Sequence, residues 1–116
     1  MSDQTSGERS RERVPVDRVF DVLRHPYRRR ILTTLAEVPP RDGTAFTPEA
    51  FHTGDVDADY FTTELYHAHL PKLAEAGYID WDRATNTSYR GPNFEEIAPI
   101  LRLLTEHQDE LPDGWP

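Results

Sequence analysis

The hydrophobic period of the chain changes at Gly77. Before it, in TTELYHAHLPKLAEA, Leu65, Leu70 (or Ala68) and Leu73 recur at helical spacing, and Phe61 and Ala74 extend the seam. After it, Tyr78-Ile79-Asp80-Trp81-Asp82 alternates as a strand does. Glycine suits the position just past a helix end, because it takes the left-handed backbone that ends the helix without a Cβ clash. Ala84-Thr85-Asn86-Thr87 reads as a turn, Ser88-Tyr89-Arg90 as the returning strand, and Gly91-Pro92 as its end. A helix that stops on glycine and feeds a short hairpin leaves few folds open. Pro71 sits awkwardly in this helix: it forfeits a backbone hydrogen bond to residue 67 and predicts a kink.

The flanking segments are helical. Val16, Val19, Phe20 and Leu23 follow i, i+3, i+4, i+7, the stripe of an amphipathic helix. Pro26 interrupts that pattern and opens a second helix, in which Ile31, Leu32 and Leu35 form the buried stripe and Pro39-Pro40 is the stop. Residues 39–46 read as a loop. Thr47-Pro48-Glu49 predicts a short helix to about Thr53-Gly54, followed by the acidic connector DVDAD. Asn93 and Glu96 have the spacing of a capping box at the start of a last helix. Phe94, Ile97, Leu101 and Leu104 share one face of it, and Ile100 and Leu103 make a second, adjacent face. Pro99 is expected to bend it. Residues 1–13 have no apolar residue after Met1 and are expected to form a disordered basic arm; 14–107 form the domain, and 108–116 a flexible tail.

With 116 residues, the chain has room for one domain with one core. No apolar run approaches the ~20 residues that a membrane span needs, and no secretory leader is visible; a cytoplasmic protein is expected. Cysteine is absent, which removes disulfides, thiolate catalysis and cysteine zinc sites. Charge is uneven. Residues 1–41 carry nine arginines to six acids, a net of +3, and residues 42–116 carry four basic residues to fifteen acids, a net of −11. The total is −8, and Lys72 is the one lysine. A surface so acidic and so poor in lysine suits a protein that works in molar salt, which screens the repulsion between carboxylates.

The order of elements is helix, helix, short helix, longer helix, two-stranded hairpin, helix. The expected fold class is therefore mostly α with a small β-hairpin, the plan of a winged helix-turn-helix. VFDVLRHPYRRRILTTL is similar to the opening of arsenic-repressor-type (ArsR-like) regulators, where a helix, a proline and an arginine cluster precede an Ile-Leu seam. LYHAHLPKLAEAGYI is similar to the recognition helix of that superfamily. Together with the acidic composition, residues 15–107 look most like the small winged-helix proteins of halophilic archaea. The resemblance implies a DNA-binding transcriptional regulator acting as a homodimer. The departures are specific. Members of the broader family often place Ser or Arg beside the His-Leu pair, whereas His67 and Ala68 stand here and Glu64 lies one turn earlier. Metal-sensing members use cysteines, which this chain lacks.

On this reading, the helix at about 60–76 enters the major groove of double-stranded DNA and the hairpin 78–90 is the wing. Thr63, Glu64, Tyr66 and His67 are the candidate base-edge contacts, and Lys72 the phosphate contact. His69 sits beside the seam leucines and is better read as core. Arg83, Asn86, Thr87 and Arg90 are candidate wing contacts, although Asp80 and Asp82 repel phosphate. Arg28 and Arg29, in the run Arg28-Arg29-Arg30, are candidate phosphate ligands; successive helical residues diverge by about 100°, so they cannot all face one surface. Arg9, Arg11 and Arg13 suit a backbone-tracking arm. Phe94, Ile97, Ile100, Leu101, Leu103 and Leu104, with help from Val16–Leu23, are the candidate dimer interface, because a two-sided apolar helix needs a partner.

Other chemistries find no support. His67 and His69, at i, i+2, diverge by about 200° on a helix and cannot share a metal ion. No phosphate-cradling glycine loop, nucleophile elbow or zinc-helix motif occurs, so neither an enzyme nor a cofactor is expected. The alternative is a winged-helix protein–protein interaction module without DNA binding. The two readings differ in where Arg28–Arg30, Lys72, Arg83 and Arg90 lie relative to Thr63 and His67.

Overall fold

The computed structural model describes residues 14–47 and 58–116. The basic arm and most of the predicted 47–54 helix and its connector lie outside them. The chain is mostly helical with a small antiparallel sheet. Helix α1 is Val14–Leu23 and α2 is Pro26–Glu37. Strand β1 is Thr44–Ala45. Helix α3 (Ala58–Glu64) runs into a π-helical turn (Leu65–His69) and on into α4 (Leu70–Glu75). Strands β2 (Ile79–Asp82) and β3 (Thr87–Arg90) form the hairpin, and α5 (Phe94–Glu106) follows.

The π turn answers the proline. Pro71 has no N–H, and in an α-helix its ring clashes with the carbonyl four residues back. The rod 58–75 takes up one extra residue instead, and the Leu70 N–H donates to Leu65 O, five residues back. A widened turn, rather than a sharp break, carries the helix past the proline.

Gly77 ends the rod at φ +82°. The Tyr78 N–H donates to Leu73 O and the Gly77 N–H to Ala74 O, both at 3.0 Å, which is the Schellman pattern. Its apolar pair, Leu73 and Tyr78, is fully buried. A Cβ at Gly77 would lie 2.5 Å from Asn93 Nδ2, so both the backbone and the space demand glycine. Asn93 does not build the predicted capping box. Its amide donates to Ala76 O at 3.0 Å, the carbonyl at the end of the rod. Glu96 turns away, accepting from Tyr78 Oη at 2.7 Å and from the Arg18 guanidinium at 3.0–3.3 Å. That knot ties α1, β2 and α5 together.

The sheet has order β1-β3-β2, with Asp80 opposite Tyr89 and Trp81 opposite Ser88. β1 lies in the segment predicted as a loop. Two residues are too few for a periodic signal, and the strand exists because β3 offers its second edge, Thr44 to Ser88 and Ala45 to Thr87. Phe46, next along, is buried in the core.

The core gathers Val19, Val22 and Leu23 of α1, Ile31, Leu32 and Leu35 of α2, Leu65, Leu70 and Leu73 of the rod, and Phe94, Ile97, Ala98 and Leu101 of α5. Burial of each large side chain stabilises by about 1.5–3 kcal/mol before entropy is counted. The α1 stripe differs from expectation. Val22 is inside, whereas Val16 and Phe20 are 51% and 65% exposed. The terminal segment read as a flexible tail packs back: Trp115 donates from Nε1 to Thr105 Oγ1 at 3.2 Å and lies under the Arg29 guanidinium.

Candidate nucleic-acid interface

Most of the predicted phosphate-binding arginines end helices. The last carbonyls of a helix have no partner within it and carry the negative end of its dipole. At α1, Arg28 donates from Nε to Val22 O (2.9 Å) and from Nη2 to Asp21 O (3.0 Å). Arg29 donates from Nη1 to Leu23 O (2.7 Å) and Arg24 O (3.2 Å). At α2, Arg90 reaches back from β3 to Leu35 O, Ala36 O and Val38 O. Arg28 is buried, and burial holds its guanidinium below its ordinary pKa. Arg28 and Arg90 are thus structural cations, and their assignment to phosphate is corrected; Arg29 also supports α1, but its Nη2 has only a 3.4 Å contact to Gly114 O. The half-buried Arg30 completes the run.

Lys72 is also placed elsewhere. Its ammonium meets Asp21 Oδ2 at 2.7 Å, and that hydrogen bond holds the Asp21 carboxyl below its usual range. It borders a cleft against α1 with Asp17 and Arg18, away from the hairpin.

Between the rod and the hairpin lies a different cleft, of about 530 Å³, lined by Tyr66, His67, Pro71, Trp81, Arg83 and Asn86. Asn86 organises it. At φ +52° it takes the left-handed turn position that asparagine tolerates. Its Oδ1 accepts from Trp81 Nε1 (3.1 Å), and its Nδ2 donates to Phe46 O and to Tyr66 Oη (3.1 Å each). Tyr66 Oη also donates to Phe46 O at 3.4 Å, and its ring stacks on Trp81 with centroids 6.0 Å apart. Asp82 Oδ1 accepts from the Ala84 N–H and shapes the turn. The hairpin is thereby fixed to the rod at the π turn. Asn86 and Tyr66 serve this joint, and their polar groups are engaged within the fold.

His67 and Arg83 remain on the rim. Both are exposed, and the Arg83 guanidinium lies over the Trp81 ring at 4.7 Å. Thr63 is exposed on the rod, and the partly exposed Glu64 puts a carboxylate oxygen 3.9 Å from His69 Nε2. Trp81 and Pro71 line the cleft without having been singled out from the sequence. The alternation of β2 was the available signal for Trp81, since it puts Trp81 and Ile79 on one side and the exposed Asp80 and Asp82 on the other.

His69 is core, as its place beside the leucines suggested. It is 2% exposed, and neither ring nitrogen has a hydrogen-bond partner. Burial, then the neighbouring His25 and Arg28, push its pKa down to about 4. Its ring lies 4.1 Å from that of His25, whose Nδ1 accepts from the Tyr27 N–H at the start of α2.

The expected dimer residues divide. Phe94, Ile97 and Leu101 are buried within the chain itself and are removed from that surface. Ile100 and Leu104 are half-buried, and Leu103 is 56% exposed. Among the described residues no helix is long and apolar enough to cross a membrane, and no group of three or more His, Asp or Glu side chains is placed to hold a metal ion.

Comparison with known proteins adds one match. Residues 47–88, which include the rod and most of the hairpin, match the family model of a domain of unknown function, DUF7344. No curated protein and no solved structure matches the chain.

Proposed function

We propose that this chain is a DNA-binding transcriptional regulator of winged-helix type, working in the cytoplasm as a homodimer. The observation that carries the reading is the joint between rod and hairpin. Tyr66, Asn86 and Phe46 O lock the two elements at one angle and leave His67 and Arg83 on the rim of the cleft between them. A rigid helix beside a rigid hairpin is a suitable shape for a groove and its flanking backbone. Thr63 and His67 are the base-edge candidates and Arg83 the phosphate contact. The ArsR-like resemblance of the two quoted stretches points the same way.

The dimer surface is redrawn. It comprises Leu103 with the half-buried Ile100 on α5 and Val16 on α1, while Phe20 and Leu104 line a separate cleft with the C-terminal segment. Half-sites read by such a dimer would lie ~34 Å apart.

A second reading has its own support. Arg28, Arg29, Arg90 and Lys72 are engaged within the fold, while Asp80 and Asp82 stand exposed on the hairpin. That favours a winged-helix module that docks on another protein. The deciding experiment is fluorescence anisotropy of labelled DNA, including the protein's own promoter, at molar and lower KCl, with folding followed by circular dichroism. Saturable, sequence-dependent binding that Thr63→Ala or His67→Ala weakens supports the regulator. A folded dimer that binds no promoter fragment overturns that reading in favour of the protein-docking one.

A further inference from the structure

A second cavity, of about 390 Å³, lies on the other side of the molecule, within the usual range for small-ligand sites. Its walls are mostly apolar: Phe20 and Leu23 of α1, Leu104 of α5, and Leu111 and Trp115 of the returning C-terminal segment; Asp113 also lines it but makes no ion pair with Arg29. Into this setting the fold places a cation, Arg29. Its Nη1 is occupied by the α1 carbonyls, but Nη2 reaches only Gly114 O at 3.4 Å, the outer limit of a hydrogen bond. Its Nε is buried with no acceptor, and it pairs with no carboxylate among the described residues. Arg24, also on the wall, already meets Asp21 at 3.2 Å. A guanidinium is built for bidentate pairing with a carboxylate, and an unsatisfied, partly buried one is costly. Burial, then Arg30, hold Arg29 below its ordinary pKa, the direction of a cation that lacks a counter-charge.

We infer that this cavity binds a small amphipathic anion: an aliphatic chain lying between Phe20, Leu104 and Trp115, with its carboxylate on the Arg29 guanidinium. The apolar walls suit the chain, and Arg29 Nη2, held only by the long contact to Gly114 O, suits the head. A carboxylate there replaces the long contact to Gly114 O with charge-assisted hydrogen bonds. The C-terminal segment is half of the wall, so the ligand also fastens that segment to α1. Nothing in this inference depends on DNA binding.

The test is isothermal titration calorimetry of the full chain with sodium octanoate, with octylammonium chloride as the charge-reversed control. Octanoate should bind saturably, one per chain, with Kd of order 1 mM or tighter for a ligand of this size. Octylammonium should bind at least tenfold more weakly. Arg29→Gln should weaken octanoate at least tenfold. Because Arg29 also supports α1, Leu111→Trp is the second variant: it fills the cavity from a half-exposed position and should abolish binding in a chain with an unchanged circular dichroism spectrum. No saturable heat with octanoate overturns the site. Equal binding of octanoate and octylammonium, or binding that survives Leu111→Trp, overturns it too, marking a non-specific apolar surface.

Discussion

Arginine does opposite things at the two ends of this molecule. At the α1–α2 junction, Arg28 and Arg29 supply hydrogen bonds to the last three carbonyls of the first helix and to Arg24 O just after it, and Arg28 is buried. At the junction of rod and hairpin, Arg83 rests on the face of Trp81 with its charge toward solvent. In the sequence both look like nucleic-acid contacts, the first as a phosphate patch and the second as a wing residue. The lesson is one of competition. A helix end presents several unsatisfied carbonyls with a negative dipole, and a nearby guanidinium satisfies them without leaving the fold. The hairpin turn offers no such sink, so its arginine stays available. Counting cations along a chain therefore overstates its nucleic-acid surface wherever they follow a helix end.

This contrast yields graded expectations. Arg28→Ala should have the largest effect: it strands Val22 O and Asp21 O and opens a cavity, for a loss of roughly 3 kcal/mol in urea unfolding. If Arg28 instead served DNA, the variant would keep its stability and lose affinity.

Acid comes next, through the buried His69 of the rod. His69 in the folded protein titrates at about 4 against 6.5 for the ordinary group. Between those values the unfolded chain binds more protons, so stability is complete above about 6.5 and declines as pH falls toward about 4. The decline attributable to His69 should reach at most roughly 3 kcal/mol, and unfolding curves across this range should lose that component in His69→Leu.

Asn86→Ala should cost about 1–2 kcal/mol, because it removes three hydrogen bonds and puts alanine at a positive φ. It should also loosen the hairpin, seen as faster amide hydrogen exchange at Trp81 and Thr87 than at the core position Ile31. The smallest stability effect belongs to Arg83→Ala, within about 0.5 kcal/mol of the parent. Its effect should fall on DNA affinity, several-fold in the anisotropy titration, with a shallower salt dependence. If Arg83→Ala destabilises as strongly as Arg28→Ala, the contrast between the two ends fails.

Local chemistry made much of the fold legible. The stop at Gly77, the hairpin after it, the proline start of α2 and the apolar face of α5 depend on near neighbours, and periodicity reports them. The joint at Asn86 was half visible: asparagine marks a turn, but its partners Phe46 and Tyr66 are 40 and 20 residues away. β1 left no periodic trace, being two residues long and paired only with a distant strand. The capping box failed for a related reason. Asn93 and Glu96 had stronger partners at Ala76 O, Arg18 and Tyr78 than at the helix start.

By itself, then, the sequence determined the long helices and the hairpin, where they stop, and that one small core joins them, because backbone preference and hydrophobic period act over a few residues. Tertiary structure decided which charges reach solvent and which side of a two-sided helix stays exposed. Arg28 and Arg83, Phe94 and Leu103 are chemically alike in pairs, yet one of each is engaged inside the fold and the other is not. Only the distant carbonyls, rings and helices that meet them in space make that difference.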